Sequence, residues 1–264
     1  MVAKKRLKKL VESGFIPGIY NYCDRWCERC EQQLHCMSFV MGKRIEEKGG
    51  FNFGQEVDQE EESIWSRLKN IFESTYEVLH ELAEEQGIEV EDIYASENIN
   101  KEFWGEELEN RTKVEEYSRR VEMSDIVRIC VIYENLADKY LERIFDYFEG
   151  LGVKDKVLDE AFDVVNWYLD LIQAKMRRAF YGYYHEKSLD GKEVEDYNGS
   201  AKVALIAIER SIEGWHIIRE KCLDYRQEIG HLLVILSQLA EDINKQFPQA
   251  WDFQRPGFDQ PEVI

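Results

Sequence analysis

Four of the six cysteines fall within fourteen residues of the chain. They are separated by three, two and five residues, and they are Cys23, Cys27, Cys30 and Cys36. Thiolates this close in sequence can converge on one metal centre, and the neighbouring Arg25 and Arg29 would offset part of their negative charge. Disulfides or redox-active thiols are the second interpretation, but stable disulfides need an oxidising compartment. The run therefore predicts a metal site with four cysteine ligands.

The spacing of the four cysteines bears on which metal they hold. Structural zinc sites usually combine two cysteine pairs from segments a dozen or more residues apart. Here all four lie on one short stretch, closer to the compact runs that hold an iron–sulfur cluster. An iron–sulfur cluster is therefore the first prediction and zinc follows closely. Cys23, Cys27 and Cys30 also resemble the Cys-x3-Cys-x2-Cys motif of radical S-adenosylmethionine enzymes, which implies a barrel of alternating strands and helices that the rest of the chain lacks.

A second set of candidate ligands pairs glutamate with histidine. Three of the five histidines follow a glutamate by three residues, which places both side chains on one helix face, as di-iron bundle proteins require. The pair Glu77 and His80 lies opposite its apolar stripe and is expected on a solvated face. The other candidates lie on or beside apolar stripes and form a second, weaker metal site, with a possible di-iron centre: Glu134, Glu213, His216, Glu228 and His231.

Two conditions decide that second site. Glu134 occupies a core position and needs a partner, because an unpaired buried carboxylate is costly. A basic side chain is the first expectation, and a metal or a hydrogen-bond network are the alternatives. Glu213 and Glu228 can share a metal only if the chain reverses near residues 221–224. Residues 217–227 contain no Gly, Pro or Asn, which favours one continuous helix there, although a hairpin stays open.

A third motif runs from Arg226 to His231, in the sequence RQEIGH. It resembles the Arg-x4-6-His motif of HEPN-type ribonucleases, which are helical bundles and often dimers. The resemblance implies that Arg226 and His231 act on RNA. The family usually has a small polar residue after the arginine, where this chain has Gln227. An acidic body is also an unfavourable surface for RNA.

The elements that must position these residues are predicted to be helices. Residues 59–247 contain no proline, as long helices require, and their apolar residues recur every three to four positions. Cys130 and Cys222 fall on these apolar stripes and are expected in the core. The prediction is an all-α fold, a multi-helix antiparallel bundle with long helices, plus a small cysteine-rich metal module. Its parts are a basic four-cysteine module at 1–44, a glycine-containing connector at 45–58, an acidic helical bundle at 59–247 and an extended tail at 248–264.

Charge and composition limit the function. The net charge is −19, while residues 1–44 carry nine basic and four acidic residues. We expect this basic segment to dock on the acidic body, and nucleic acid to be bound, if at all, through the basic N-terminus. The sequence contains no run of 18 apolar residues that could span a membrane. No apolar signal region follows the first residues. A soluble cytoplasmic protein is therefore expected.

The leading functional hypothesis is a soluble metalloprotein that serves electron transfer or redox sensing. The alternatives are a zinc-stabilised interaction or scaffold protein, a ferritin-like di-metal oxidoreductase and a HEPN-type ribonuclease. A protein partner is expected, and a homodimer is an option.

Overall fold

A computed structural model describes residues 14–47, isolated positions between 72 and 84, and residues 113–186 and 196–259. All regular structure in these ranges is helical, so the all-α prediction is confirmed. Most of the connector expected at 45–58 lies outside the described residues. Among the helices that are described, none is long and apolar enough to cross a membrane.

The chain divides into two compact units. The N-terminal unit comprises Met1–Asn21, Arg25–Ile99 and Pro256–Ile264, and the helical unit comprises Tyr22–Asp24 and Asn100–Arg255. Cys23 falls in the helical unit, and the other three clustered cysteines fall in the N-terminal unit. The predicted division at 1–44, 45–58, 59–247 and 248–264 stays a prediction.

The described part of the N-terminal unit consists of short turns and one helix. Three 3₁₀ turns, Ile19–Asn21, Cys27–Arg29 and Gln33–His35, are followed by helix α1, Met37–Glu47. The Ile16 amide donates to the His35 carbonyl oxygen at 3.0 Å, which ties the beginning of the segment to its third turn. Between residues 14 and 47 only Ile19 and Ile45 are buried, so this stretch has very little apolar core of its own.

The helical unit is built from four long helices. They are α2, α3, α4 and α5, at Asp125–Gly150, Lys156–Glu186, Asp196–Lys221 and Arg226–Gln246, preceded by a helical segment at 113–122. Helix α2 begins after Ser124 and ends at Gly150, as the sequence predicts, although the Ser124 side chain makes no capping hydrogen bond. Short connections favour antiparallel neighbours. The ion pair between Lys221 and Asp155 joins the end of α4 to the start of α3, so these two helices are antiparallel.

The expected continuous helix through residues 217–227 is not formed, because α4 ends at Lys221 and α5 begins at Arg226. The turn between them needs no glycine or proline, since tertiary contacts hold it. Cys222 is buried, the Arg219 guanidinium donates to the Arg226 carbonyl oxygen at 3.3 Å, and the Tyr225 ring lies 6.4 Å from that of Tyr147. The reversal allows α5 to pack its apolar stripe against both α2 and α4.

Helix α4 packs most extensively against α3 and approaches it closely at Gly214. A Cβ atom at this position would lie 2.7 Å from Val165 Cγ2 and 3.2 Å from the Ala161 carbonyl oxygen. Gly214→Ala should therefore lower the free energy of unfolding by about 1–3 kcal/mol through overpacking, more than the gain of about 1 kcal/mol in helix propensity. Urea denaturation measures the change.

Gly230 supplies the matched control, because it also lies inside a helix but has open space around its Cβ position. Gly230→Ala should leave the stability unchanged or raise it by up to about 1 kcal/mol. If the two alanine variants shifted the urea midpoint in the same direction by the same amount, close packing at Gly214 would not explain its glycine.

Candidate metal centre

Three of the four clustered cysteines stand at the ends of 3₁₀ turns. Cys27 begins one turn and Cys30 follows it, with the Cys30 amide donating to the Cys27 carbonyl oxygen at 3.1 Å. Cys36 closes the next turn, and its amide donates to the Gln33 carbonyl oxygen at 3.2 Å. The turns redirect the backbone between successive cysteines. The chain therefore presents these thiols from tight turns instead of spreading them along one helix.

No disulfide links the clustered cysteines. All six cysteines lie in the described part of the chain and none forms a disulfide, and the four clustered ones are half-buried. The backbone amide of Gln32 donates to Cys30 Sγ at 3.4 Å. This contact ties the Cys30 side chain to the backbone that leads into the next turn.

Two arginines lie beside the cysteines, as the sequence shows. Arg25 adopts a left-handed backbone conformation with a φ of 60°, and its carbonyl oxygen accepts the Cys27 amide at 2.8 Å. The Arg29 guanidinium lies 3.7 Å from the centre of the Trp26 ring. This cation–π contact holds the Arg29 charge next to the turn that carries Cys27 and Cys30.

Cys23 lies between two residues that are fastened to the helical unit. On one side, the Tyr22 hydroxyl donates to Asp196, and the Tyr22 ring lies 4.7 Å from that of Phe253. On the other side, the Asp24 carboxylate accepts hydrogen bonds at 2.8 Å from the Tyr168 hydroxyl and from Arg210. The backbone on both sides of Cys23 is therefore fixed against helices α3 and α4.

Asp24, Tyr168 and Arg210 form a network that sequence reasoning missed. Burial is the main cause that raises the pKa of Tyr168 to about 12, so its hydroxyl remains a donor to Asp24 at neutral pH. The Trp167 indole adds a hydrogen bond of 3.0 Å to the Asp24 carbonyl oxygen. These partners lie 143 to 186 residues from Asp24 in sequence. No local spacing could have indicated them.

Within the described ranges, no group of three or more histidine, cysteine or acidic side chains is arranged to hold a metal ion. Cys27, Cys30 and Cys36 belong to the N-terminal unit and Cys23 to the helical unit. The four-cysteine site therefore stays a prediction.

The second set of predicted ligands is placed mostly at the surface. Glu213 and His216 are exposed on α4, and on α5 Glu228 is half-buried and His231 exposed. The reversal between α4 and α5 meets one condition for a di-metal centre, but these side chains belong to no metal-binding group. Glu77 is exposed, as expected of a solvated face, but His80 is half-buried and its Nε2 atom is buried, so the expectation was wrong for the histidine.

The fifth member of that set, Glu134, has a different partner from the expected one. The Gln173 side-chain amide donates to its carboxylate, and Gln173 in turn accepts from Arg177 at 2.7 Å. Arg177 also forms an ion pair with Glu122. The expectation that Glu134 pairs directly with a basic side chain was therefore wrong. Gln173 lies between its carboxylate and Arg177 in this series of contacts.

The environment of Glu134 predicts a dependence of stability on pH. Burial, assisted by the nearby charges of Asp170 and Asp138, raises the pKa of this carboxyl above its usual range. The folded state then binds the proton more tightly than the unfolded state, so the fold loses stability as pH rises through the folded pKa. Glu134→Gln should remove this loss and gain stability relative to the wild type between roughly pH 5 and 7.

Urea denaturation at the two ends of that pH range measures the effect. Glu149→Gln, at an exposed position near the end of the same helix, serves as the control and should follow the wild type. A difference between wild type and Glu134→Gln that stayed constant with pH would contradict the assignment.

The structure also shows where the remaining candidate residues lie. Arg226 is the first residue of α5, and both it and His231 are exposed on that helix; the role that the ribonuclease resemblance implies for them stays a prediction. Cys130 and Cys222 are buried, as expected. Burial raises the pKa of the Cys130 thiol to about 12, which makes it a poor metal ligand.

No protein-family model, no curated protein and no solved structure matches this chain.

Proposed function

We propose that the chain is a metalloprotein in which Cys23, Cys27, Cys30 and Cys36 bind one centre, an iron–sulfur cluster or a zinc ion, and that it serves electron transfer or redox sensing. One observation carries the proposal. Residues 14–36 contain four half-buried thiols but only one buried apolar side chain, Ile19. The bonds of Tyr22 and Asp24 hold only one end of this small-cored segment, and metal binding would supply folding free energy to the rest directly.

The turns around the cysteines support the same function. The pair Cys27 and Cys30 spans one 3₁₀ turn, and the Gln32 amide donates to Cys30 Sγ. Hydrogen bonds to ligand sulfurs are one of the means by which proteins set the reduction potential of an iron–sulfur cluster. In a redox role, this amide would stabilise the oxidation state of the cluster that places more negative charge on the Cys30 sulfur.

The fixed position of Cys23 suits a sensor. Its neighbours Tyr22 and Asp24 are bonded to α3 and α4, so a ligand at Cys23 would be held by the helical unit. Oxidation or loss of the centre would then act on residues already tied to those helices. Ligating thiolates also call for a reducing compartment, which supports the cytoplasmic location.

Anaerobic purification followed by metal and sulfide analysis and an absorption spectrum tests the proposal. A brown protein with iron and sulfide near about four per chain supports a cluster. A chain that contains neither iron nor zinc when purified from cells supplied with both would overturn it.

A zinc-stabilised interaction protein is the second candidate. The observation that favours it is Leu34, which is 80% exposed although it lies between the cysteines of the proposed site. An apolar side chain presented beside a structural zinc site suits contact with another protein. One colourless zinc per chain, no response to reductant and unfolding on chelation would select this function over the redox one.

A further inference from the structure

We propose that the groove between α2 and α3 binds a basic amphipathic helix of a partner protein. The groove encloses about 300 Å³, and it is formed wholly within the helical unit. The proposal is independent of the cysteines and would hold for a zinc protein or an iron–sulfur protein alike.

The floor of the groove is apolar and partly open to solvent. Leu141, Phe145 and Phe162 line it. The Phe145 ring meets Phe162 edge to face at 5.8 Å, yet 52% of Phe145 remains exposed. A half-exposed aromatic ring in a concave site offers a contact for one apolar side chain of a ligand, as is common at the centre of protein interfaces.

The rim of the groove is acidic. Asp138, Glu142 and Asp146 follow each other on α2 at intervals of four residues and all line the groove. Like charges at this spacing on a helix repel each other and destabilise it. None of the three forms an ion pair with any residue that the structure describes. The rim therefore offers three carboxylates to a cationic ligand.

Three other acids on the described helices form ion pairs with basic residues three or four positions away on the same helix, in the pairs Asp125–Arg128, Glu241–Lys245 and Lys43–Glu46. Lys139 and Arg143 lie three positions before Glu142 and Asp146, yet they form no such ion pair with them in the described part of the chain. The rim carboxylates thus remain open to an outside cation, beside the apolar floor of the groove.

The spacing of the rim acids identifies the ligand. Successive carboxylates on α2 are about 6 Å apart along the helix axis. Lysines or arginines at the same interval on a second helix repeat with the same period, and an apolar residue on that face would reach Phe145. This is the helix-in-groove mode of recognition, in which apolar anchors set the register and charges set the orientation. Nucleic acids and anionic lipids would be repelled by the same rim.

Fluorescence anisotropy with the full-length chain tests the proposal at physiological salt. The probe is a fluorescein-labelled helical peptide with lysines four residues apart and leucines on the same face. Its control is a scrambled peptide of identical composition. The patterned peptide should bind at least about tenfold more tightly than the scrambled one, because only it presents both features in register.

Two variants of the groove and one control pair then locate the site. Asp138→Asn with Glu142→Gln should weaken binding about fivefold to tenfold, and Phe145→Ala should weaken it by at least about threefold. The control, Glu220→Gln with Asp252→Asn, changes two exposed acids, one on α4 and one after α5, and should change binding less than about twofold.

Equal weakening by both double variants would overturn the proposal, since it would mean that only the net charge attracts the peptide. Equal binding of the scrambled peptide would overturn it as well. So would binding of spermine as tight as that of the patterned peptide, because it would assign the groove to small polycations. Circular dichroism of each variant checks that the helices are retained.

Discussion

Cys30→Ser should be purified with at least about tenfold less metal than the wild type and should unfold at a lower temperature. Serine cannot supply a thiolate, so the centre would lose a ligand, and the hydrogen bond from the Gln32 amide to Cys30 Sγ would lose its sulfur acceptor. Free energies of metal binding in small metal-folded domains are about 10–16 kcal/mol. The loss is therefore large compared with the effect of any single surface substitution.

Cys222→Ser is the matched control for this experiment. Cys222 is completely buried at the turn between α4 and α5, away from the clustered cysteines in sequence. Its replacement should leave the metal content unchanged and cost about 1–3 kcal/mol of stability, because a hydroxyl is buried in place of a thiol. Metal analysis and thermal unfolding of both variants distinguish the two effects. Retention of the full metal content by Cys30→Ser would contradict its role as a ligand.

Trp215→Ala should produce the largest loss of stability in the helical unit. Trp215 is fully buried, and its indole nitrogen donates to the Tyr133 hydroxyl at 3.0 Å. Removing the ring costs about 3–5 kcal/mol through the cavity it leaves. The Tyr133 hydroxyl also loses the indole donor, which adds about 1 kcal/mol. Since whole domains are stable by about 5–15 kcal/mol, this one change should remove a large part of the total and lower the urea midpoint accordingly.

Two further variants separate the parts of that effect. Tyr133→Phe keeps both rings but leaves the indole N–H of Trp215 without its acceptor, and should cost about 1–3 kcal/mol. Trp251→Ala removes a tryptophan that is 40% exposed, with its indole bonded to Asn244, and should cost less than about 2 kcal/mol. A loss from Trp251→Ala as large as that from Trp215→Ala would show that burial does not set the difference.

The helices of this fold were predictable where local sequence determines them. Helix α2 has an apolar stripe of constant period, an acidic first turn after Ser124 and a glycine at its end. The turn between α4 and α5 was not predictable, because it is held by contacts such as those of Lys221 with Asp155 and of Tyr225 with Tyr147. These partners lie on other helices, and no turn-forming residue marks the place.

The candidate sites also contain some features that local sequence predicts and others that depend on distant residues. The four cysteines are close in sequence, so their spacing alone indicated a metal site. The anchors on either side of Cys23 depend on residues such as Asp196 and Phe253, far along the chain, and could not be predicted. The acids at 138, 142 and 146 are visible as a regular series on one helix, but their groove needs Phe162 of the next helix to form its floor.

The attachment of Asp24 to the helical unit imposes an order of events during protein synthesis. Its partners Tyr168 and Arg210 are translated 144 and 186 residues later, a delay of roughly seven to forty seconds at about 5–20 residues per second. Cys27, Cys30 and Cys36 sit on local turns that need no such wait, whereas the backbone at Cys23 becomes fixed only after α4 has been made. Under the proposed four-cysteine site, three of the thiols would therefore be in place early in synthesis, and the fourth would be held in place only once the helical unit has folded.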